Sequence, residues 1–309
     1  MNVLQWAYSL GLRIDRRFTS QKKLVAPVIS IGNIALGGRA KTPMVVELCQ
    51  LLKNKYHVVV LTRGYGRKTT AANFLTREMS LDQISVETSG DEPLEIFLKT
   101  ECPVLIGPRR FENALLYIQE HVGQRFLFIL DDGFQHWDLE RDFDLVLTSE
   151  SDFSDTLLPT GRLREATSAL TRADMVLSLE KDLEKHMDLP AESLSRLTVK
   201  NSLILTTRAG SQKSYFESVS QLLGFAPRTL ELKDHLSSAK LEQELLRLDP
   251  SVTELVVGFK EAVKLTRDFV ALKNSGVLEH GRFRLHVVKL NLKWPQEKIR
   301  AQLFMKGIS

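Results

Sequence analysis

From residue 28 onward, short apolar runs alternate with stretches whose apolar positions recur every three or four residues. The runs at 28–31, 58–61, 104–106, 126–130, 145–147 and 175–179 are dominated by Val, Ile, Leu and Phe, a composition that predicts β-strands. Several, such as FLFIL, show no polar alternation, so both faces of those strands must be covered. Strands of that kind alternating with helical patterns predict βαβ units and a parallel sheet flanked by helices. In such sheets ligands gather at the carboxyl ends of the strands.

Around 181–197 the pattern turns polar and charged and is interrupted by Pro190. A second series follows, with strands expected at 203–206, 229–232, 254–257 and 283–290, and helices near 239–248, 260–272 and 295–304. The expected organisation is an N-terminal helix over 1–24, a core over 25–185 and a smaller α/β subdomain over 186–309.

The N-terminal segment carries Val3, Ala7, Leu10, Ile14 and Phe18 at helical spacing, with Arg13, Arg16 and Arg17 following and Trp6 and Tyr8 nearby. This pattern suits an amphipathic helix on an anionic lipid surface. It equally suits a helix packed on the protein's own core with its arginines in solvent. No apolar run reaches the ~20 residues that span a bilayer, and no signal peptide is recognisable.

Composition narrows the picture modestly. The 309 residues are 43% hydrophobic and 26% charged, which describes a globular protein with ample core. Cys49 and Cys102 form no metal or redox spacing, so structural thiols in a reducing compartment are expected. The net charge of +4 comes from scattered basic residues without a nucleic-acid signature, so no nucleic-acid partner is expected. An anionic substrate or a membrane surface accounts for the balance.

The chemistry begins at IGNIALGGRAKTP, residues 31–43. A strand, a glycine-rich turn and a helix start aim backbone N–H groups and a helix dipole at one spot, as phosphate-binding loops do. Gly37, Gly38, Arg39, Ala40, Lys41, Thr42 and Pro43 would hold a nucleotide, with Lys41 supplying charge and Thr42 a hydroxyl for Mg2+. The strict pattern has glycine where this chain has Ala35 and Ala40, and an ordinary strand-to-helix turn remains the alternative.

After FLFIL come Asp131, Asp132, Gly133, Phe134, Gln135 and His136, carboxylates at a strand end where they suit a magnesium ion. Alone, Asp-Asp-Gly also reads as a turn. Arg63 and Tyr65 follow another strand. Asp91 and Glu92 open a helix, where Asp91 serves either as a proton acceptor or as a helix cap through Glu95. In LLPTGRLRE, Arg164 suits a transferred phosphate and Glu165 a metal shell.

Taken in order, GNIALGGRAKTP, LTRGYGRK, SGDEP, PVLIGPRR, LDDGFQH and LLPTGRLRE resemble the tetraacyldisaccharide 4'-kinase family, the lipid A 4'-kinases of Gram-negative bacteria. The resemblance implies a P-loop NTPase-like fold and Mg2+- and ATP-dependent transfer of the γ-phosphoryl group. The acceptor would be the 4'-hydroxyl of an acylated glucosamine disaccharide, met by a monomer on the cytoplasmic face of the inner membrane. Position by position it implies Lys41 and Thr42 at phosphate and magnesium, and Asp131, Asp132 and Glu165 around the metal. Asp91 would be the base, assisted by His235 and Asp234, with Arg63, Tyr65, Glu92, His136 and Arg164 on the substrate side.

The chain departs from that family at Ala40, where glycine is usual, and at Arg39, where a small residue is usual. Its Asp234-His235-Leu236 replaces a double histidine, and Gly258-Phe259-Lys260-Glu261 replaces Thr-Glu-Lys-Asp, although Lys260 and Lys264 remain. These departures keep open a degenerate member, or a P-loop ATPase or binding protein with an altered acceptor.

Overall fold

The structure, a computed structural model, describes residues 3–308 apart from 65, 66, 68, 70, 207–211 and 233–235. The chain opens with α1 (Val3–Phe18), then β1 (Val28–Asn33), α2 (Lys41–Leu52), β2 (His57–Thr62), β3 (Asn73–Leu75), α3 (Val86–Ser89) and α4 (Asp91–Thr100). It continues through β4 (Val104–Ile106), α5 (Arg110–Glu120), β5 (Phe126–Asp131), β6 (Phe143–Thr148) and β7 (Met175–Ser178). These strands form one seven-stranded sheet in the order β3-β4-β2-β5-β1-β6-β7. Every neighbouring pair is parallel except β3 with β4.

Continuous apolar runs arise because β1, β5 and β6 are buried at every position. Ile29, Ile31, Val60 and Ile129 face Met44 and Leu48 of α2 and Leu94 of α4. The intervening Val59, Leu61, Phe128 and Leu130 pack with Tyr117 of α5 on the opposite face. The alternation of strand side chains thus fills two cores from one run of sequence. Truncating the fully buried Leu48 to alanine would cost about 2–5 kcal/mol.

The second half comprises β8 (Glu184–Asp188), α6 (Ala191–Arg196), β9 (Ser202–Thr206), α7 (Gln212–Leu223), β10 (Arg228–Glu231), α8 (Ser238–Leu246) and β11 (Glu254–Gly258). It ends with α9 (Phe259–Leu265), α10 (Phe269–Asn274), β12 (Val277–His280), β13 (Phe283–Lys293) and α11 (Gln296–Met305). Its sheet runs β10-β9-β11-β13-β12, with β8 also on β13. The strands β9, β10, β11 and β13 are parallel, while β8 and β12 run antiparallel to β13. The apolar cluster around α2 and α4 continues into this half through Leu205, Val257, Ala262 and Val287, and Trp294 Nε1 donates to Glu47 Oε2 of α2 at 3.0 Å. The architecture is α/β with mostly parallel sheets and flanking helices.

Two expectations need correction. The helix expected over 260–272 is two helices: Thr266 is extended at φ −119° and ψ 153°, and the Asp268 side chain caps α10 by accepting from Ala271 N. The apolar period runs across this break, which concealed it. The polar stretch at 181–197 contains β8 and α6, and β8 went unseen because its EKHMD sequence is an exposed, charged edge strand.

Candidate active site

At the end of β1 the chain passes through residues 34–40 and enters α2 at Lys41. Ala40 stands before the helix at φ 56° and ψ 27°, a left-handed conformation, and supplies no side-chain cap. The first turn, Lys41, Thr42 and Pro43, holds no acidic residue, so the free N–H groups and positive end of the dipole are unopposed. Proline is tolerated there because its missing donor is not needed for the helix ladder. Lys41 Nζ donates to Asn33 Oδ1 at 3.2 Å and pairs with Asp132 Oδ1 at 3.1 Å.

β5 lies beside β1 with Asp131 level with Ile31, which carries the Asp-Asp pair to the turn before α2. Thr62, at the end of β2, donates to Asp131 Oδ2 at 3.0 Å. The other oxygen, Asp131 Oδ1, is buried without a hydrogen-bond partner. Burial and then the neighbouring Asp132 push the Asp131 carboxyl above its ordinary range. For Asp132 burial acts in the same upward direction, but Lys41 and Arg164 outweigh it and bring it down to about 2. Arg164 Nη1 reaches Asp132 Oδ2 at 2.8 Å. Two adjacent carboxyls are therefore driven apart, one toward the neutral form and one firmly ionised. Asp132 is also left-handed, at φ 51°.

Glu165 stands one residue beyond Arg164 but faces elsewhere: it accepts from Gln135 Nε2 at 2.9 Å and pairs with Arg172 at 2.9 Å. Gln135 also donates to the Asn33 carbonyl at 2.9 Å. Backbone bonds from Leu36 N to Arg162 O at 2.8 Å and from Arg164 N to Ile34 O at 2.7 Å dock the 157–165 loop onto the turn that follows β1. Among the described residues no group of three or more His, Cys, Asp or Glu side chains is arranged to hold a metal ion.

Asp91 begins α4 behind Gly90, whose φ of 86° and ψ of 156° suit glycine alone. The Asp91 side chain is buried, and Lys264 Nζ lies 2.9 Å and Lys260 Nζ 3.6 Å from its Oδ2. Its Oδ1 accepts from Glu92 N at 3.0 Å. The cap through Glu95 is not formed, because Glu95 pairs with Lys99. Burial raises the Asp91 carboxyl, yet the two lysines prevail and hold it below the usual range. Next to it, burial and then Asp131 push Glu92 up to about 7.

The remaining expected residues scatter around this centre. The Arg39 guanidinium is committed to Asp152, Gly37 and Gly38 are exposed on the turn, Thr42 and Pro43 are half-buried and Arg63 is exposed. Burial, then Arg110 and Arg141, lower His136 to about 3, so its imidazole is neutral at ordinary pH. Tyr65, Asp234 and His235 lie outside the described residues. Sequence reasoning passed over Arg110, buried at the start of α5 with Asp131 and Asp132 pulling on its charge. PVLIGPRR was its available signal. Lys260 and Lys264 were noted without a partner to explain them.

α1 closes one side of this region. Gln5 is buried and its Nε2 donates to Thr160 Oγ1 at 2.6 Å, and the Arg16 guanidinium lies 4.9 Å from the Trp137 ring centroid. Leu4, Trp6, Leu10 and Phe18 are exposed. One face of this helix packs on the protein and the other is exposed. Among the described residues no helix is long and apolar enough to cross a membrane.

The family model for tetraacyldisaccharide-1-P 4'-kinase, LpxK, matches residues 1–306. A tetraacyldisaccharide 4'-kinase of Koribacter versatilis is 32% identical over 95% of this chain and 94% of its own. That of Aquifex aeolicus is 39% identical over 171 residues, 55% of this chain and about half, 53%, of its own length. The crystal structure of the "apo" form of LpxK from Aquifex aeolicus in complex with ATP superposes with a TM-score of 0.74 at 24% identity, covering 98% of this chain and 96% of that one. That structural likeness speaks for a shared fold, and the sequence matches over nearly the whole chain go further: this chain belongs to the tetraacyldisaccharide-1-P 4'-kinase family.

Proposed function

We propose that the cluster at the strand ends carries out the family's reaction, transfer of the γ-phosphoryl group of ATP to the 4'-hydroxyl of a tetraacylated glucosamine disaccharide 1-phosphate in lipid A biosynthesis. The observation that carries the assignment of roles is the convergence of Lys41, Asp131, Asp132 and Arg164 on one spot beside a helix start without acidic residues. Phosphoryl transfer asks mainly for charge neutralisation and in-line positioning. The N-terminus of α2 and Lys41 would hold the β- and γ-phosphates, and Arg164 would meet the equatorial oxygens of the group in flight.

Asp91 would accept the hydroxyl proton as the acceptor oxygen bonds to the γ-phosphorus and the bond to the β-phosphate oxygen breaks. A carboxylate below its usual range is a weak base. In a loose transition state the nucleophile keeps its proton until late, so orienting the hydroxyl is the larger part of the task. His235 and Asp234 are assigned as helpers of Asp91 by family likeness.

The hard oxygen donors of Asp131, Asp132 and Thr42 fit Mg2+, and the buried, unpartnered Asp131 Oδ1 is what a cation at this spot would satisfy. Glu165 would join them only after leaving Arg172. When bound, the ion would neutralise charge on the phosphate oxygens. The other assigned residues, Gly37, Gly38, Ala40 and Pro43 at the nucleotide, Arg39 behind the loop through its contact with Asp152, and Arg63, Tyr65, Glu92 and His136 at the acceptor, would complete the site. Units 1–24, 25–185 and 186–309 would act as anchor, nucleotide-binding core and closing half. The exposed Leu4, Trp6, Leu10 and Phe18 with Arg16 and Arg17 suit the cytoplasmic face of an anionic inner membrane, where the monomer would meet its lipid substrate.

The test is incubation of purified protein with Mg-ATP and the acylated disaccharide 1-phosphate in detergent, beside Lys41→Ala and Asp91→Asn. A second phosphate in the wild-type product alone supports the assignment. Equal product from Lys41→Ala would remove the phosphate loop from the mechanism.

A further inference from the structure

Ala40 occupies a left-handed conformation, φ 56° and ψ 27°, that disfavours any residue with a β-carbon. Something must hold it there, and the preceding residue is fixed unusually firmly. Arg39 is buried, its Nε stands 3.2 Å from both Asp152 carboxylate oxygens, and its Nη2 contacts Oδ1. Asp152 is wholly buried. Its Oδ2 also accepts from Ser149 N at 2.9 Å, within a reciprocal cap at the turn that follows β6. Because β6 pairs with β1, the anchor belongs to the same rigid sheet as the strand feeding the loop. Arg39 Nη1 lies beneath the turn, 3.8 Å from where a Cβ on Gly37 would stand.

We propose that the Arg39–Asp152 ion pair is a positioning brace, which fixes the phosphate loop in the conformation where alanine takes the left-handed place before Lys41. The planar guanidinium makes a directional, forked contact that a lysine does not reproduce. With both charges sequestered, moving Arg39 means exposing or unpairing a buried carboxylate. That resists relaxation of residue 40 into a right-handed conformation, which would turn the first N–H groups of α2 and Lys41 away from the phosphates. With its guanidinium committed to the buried Asp152, Arg39 acts through the loop rather than on the nucleotide. The two departures at 39 and 40 then read as one compensated change. The proposal rests on the loop being the ATP site.

The prediction is a coupling between the pair and position 40. Arg39→Met with Asp152→Leu replaces the buried pair by apolar groups of similar size, an exchange buried sites often tolerate. In the Ala40 background it is expected to raise the Kd for Mg-ATP and the KM for ATP about tenfold, the population lost when a left-handed alanine is no longer held. The kcat at saturating ATP should stay within about twofold, because ATP binding restores the same loop. In an Ala40→Gly background the same double replacement should change Kd less than about twofold, since glycine needs no brace. Arg39→Lys should behave like the apolar pair in both backgrounds, and it serves as the second probe should that pair not fold in a thermal melt.

Equal losses in the two backgrounds, or no loss with Ala40, would overturn the brace. Absence of Mg-ATP binding by the wild type would instead overturn the ATP reading of the loop, and it is recognisable because every variant is then flat.

Discussion

Ala40→Gly tests the strained position directly. A left-handed alanine costs about 1–2 kcal/mol relative to its right-handed form, and glycine removes that cost. Against it stand about 0.4–1 kcal/mol of extra freedom in the unfolded chain and a few tenths for a half-buried methyl, taken as half of the ~0.8 kcal/mol of a buried CH2. The sum is a stability change between about zero and 1 kcal/mol in favour of glycine, at most about 2–4 °C in Tm. The informative comparison is Ala301→Gly, in the middle of α11 and exposed. There residue 301 is helical, and glycine should cost about 1 kcal/mol. Differential scanning calorimetry of both variants without ligand reads the contrast, and the KM for ATP of Ala40→Gly should stay within about twofold, because the Arg39–Asp152 pair already holds the loop in its competent conformation. If Ala40→Gly loses as much stability as Ala301→Gly, residue 40 is right-handed in solution and the argument about the loop fails.

Lys264→Met removes the nearer partner of Asp91. It should cost about 3 kcal/mol as a broken buried pair, and because a lowering partner is lost while burial stays, the Asp91 carboxyl rises and kcat at pH 6 falls more than at pH 8; a pH profile that only scales down uniformly contradicts the role of Asp91 as base. Asp131→Asn keeps the shape and the contact with Thr62 but removes the carboxylate that would hold Mg2+, and should lower kcat at least about a hundredfold, with little change in Tm; retention of more than a tenth of kcat would count against Asp131. Glu92, pushed up to about 7 from an ordinary 4.5, holds a proton in the folded state that the unfolded chain releases. The associated stability is complete below pH 4.5 and disappears as pH rises through 7, so the Tm of Glu92→Gln relative to wild type should grow from pH 5 to pH 8, and a constant difference refutes the shift. Trp6→Ser with Leu10→Ser should weaken cosedimentation with anionic vesicles several-fold without changing Tm; unchanged cosedimentation would disconnect the exposed face of α1 from lipid.

What could be read from the sequence was what is local. The strand ends, the turn before Lys41 and the Asp131-Asp132 pair are each contiguous, and each is legible within a dozen residues. Even the difficulty at Ala40 was visible, because a glycine pattern interrupted by alanine predicts strain if the conformation is kept, and it is kept at φ 56°. The break between α9 and α10 was hidden by an apolar period that runs through it. The partners of Asp91 were hidden for another reason: only the packing of α9 against α4 brings Lys260 and Lys264 to that carboxylate, and no spacing rule relates the two segments.

The same distinction separates residues that make the site from residues that condition it. Arg39 and Asp152 are 113 residues apart, and each alone reads as a surface charge. Together they are buried, and they decide which backbone conformation the phosphate loop adopts. Lys260 and Lys264 likewise come from the second half and decide the protonation of Asp91 in the first. The lysines of α9 offset the burial of Asp91 only while α9 stays packed on α4. The proposed role of Asp91 as base therefore depends on the α4–α9 contact as well as on SGDEP, and substitutions that move α9 away from the carboxylate should imitate the pH behaviour of Lys264→Met without touching either charge. Ala262→Gly, fully buried in α9, is the mildest such change: it should lower helix stability by about 1 kcal/mol and raise the lower pH limb of kcat, whereas an unshifted limb would confine control of Asp91 to its direct partners.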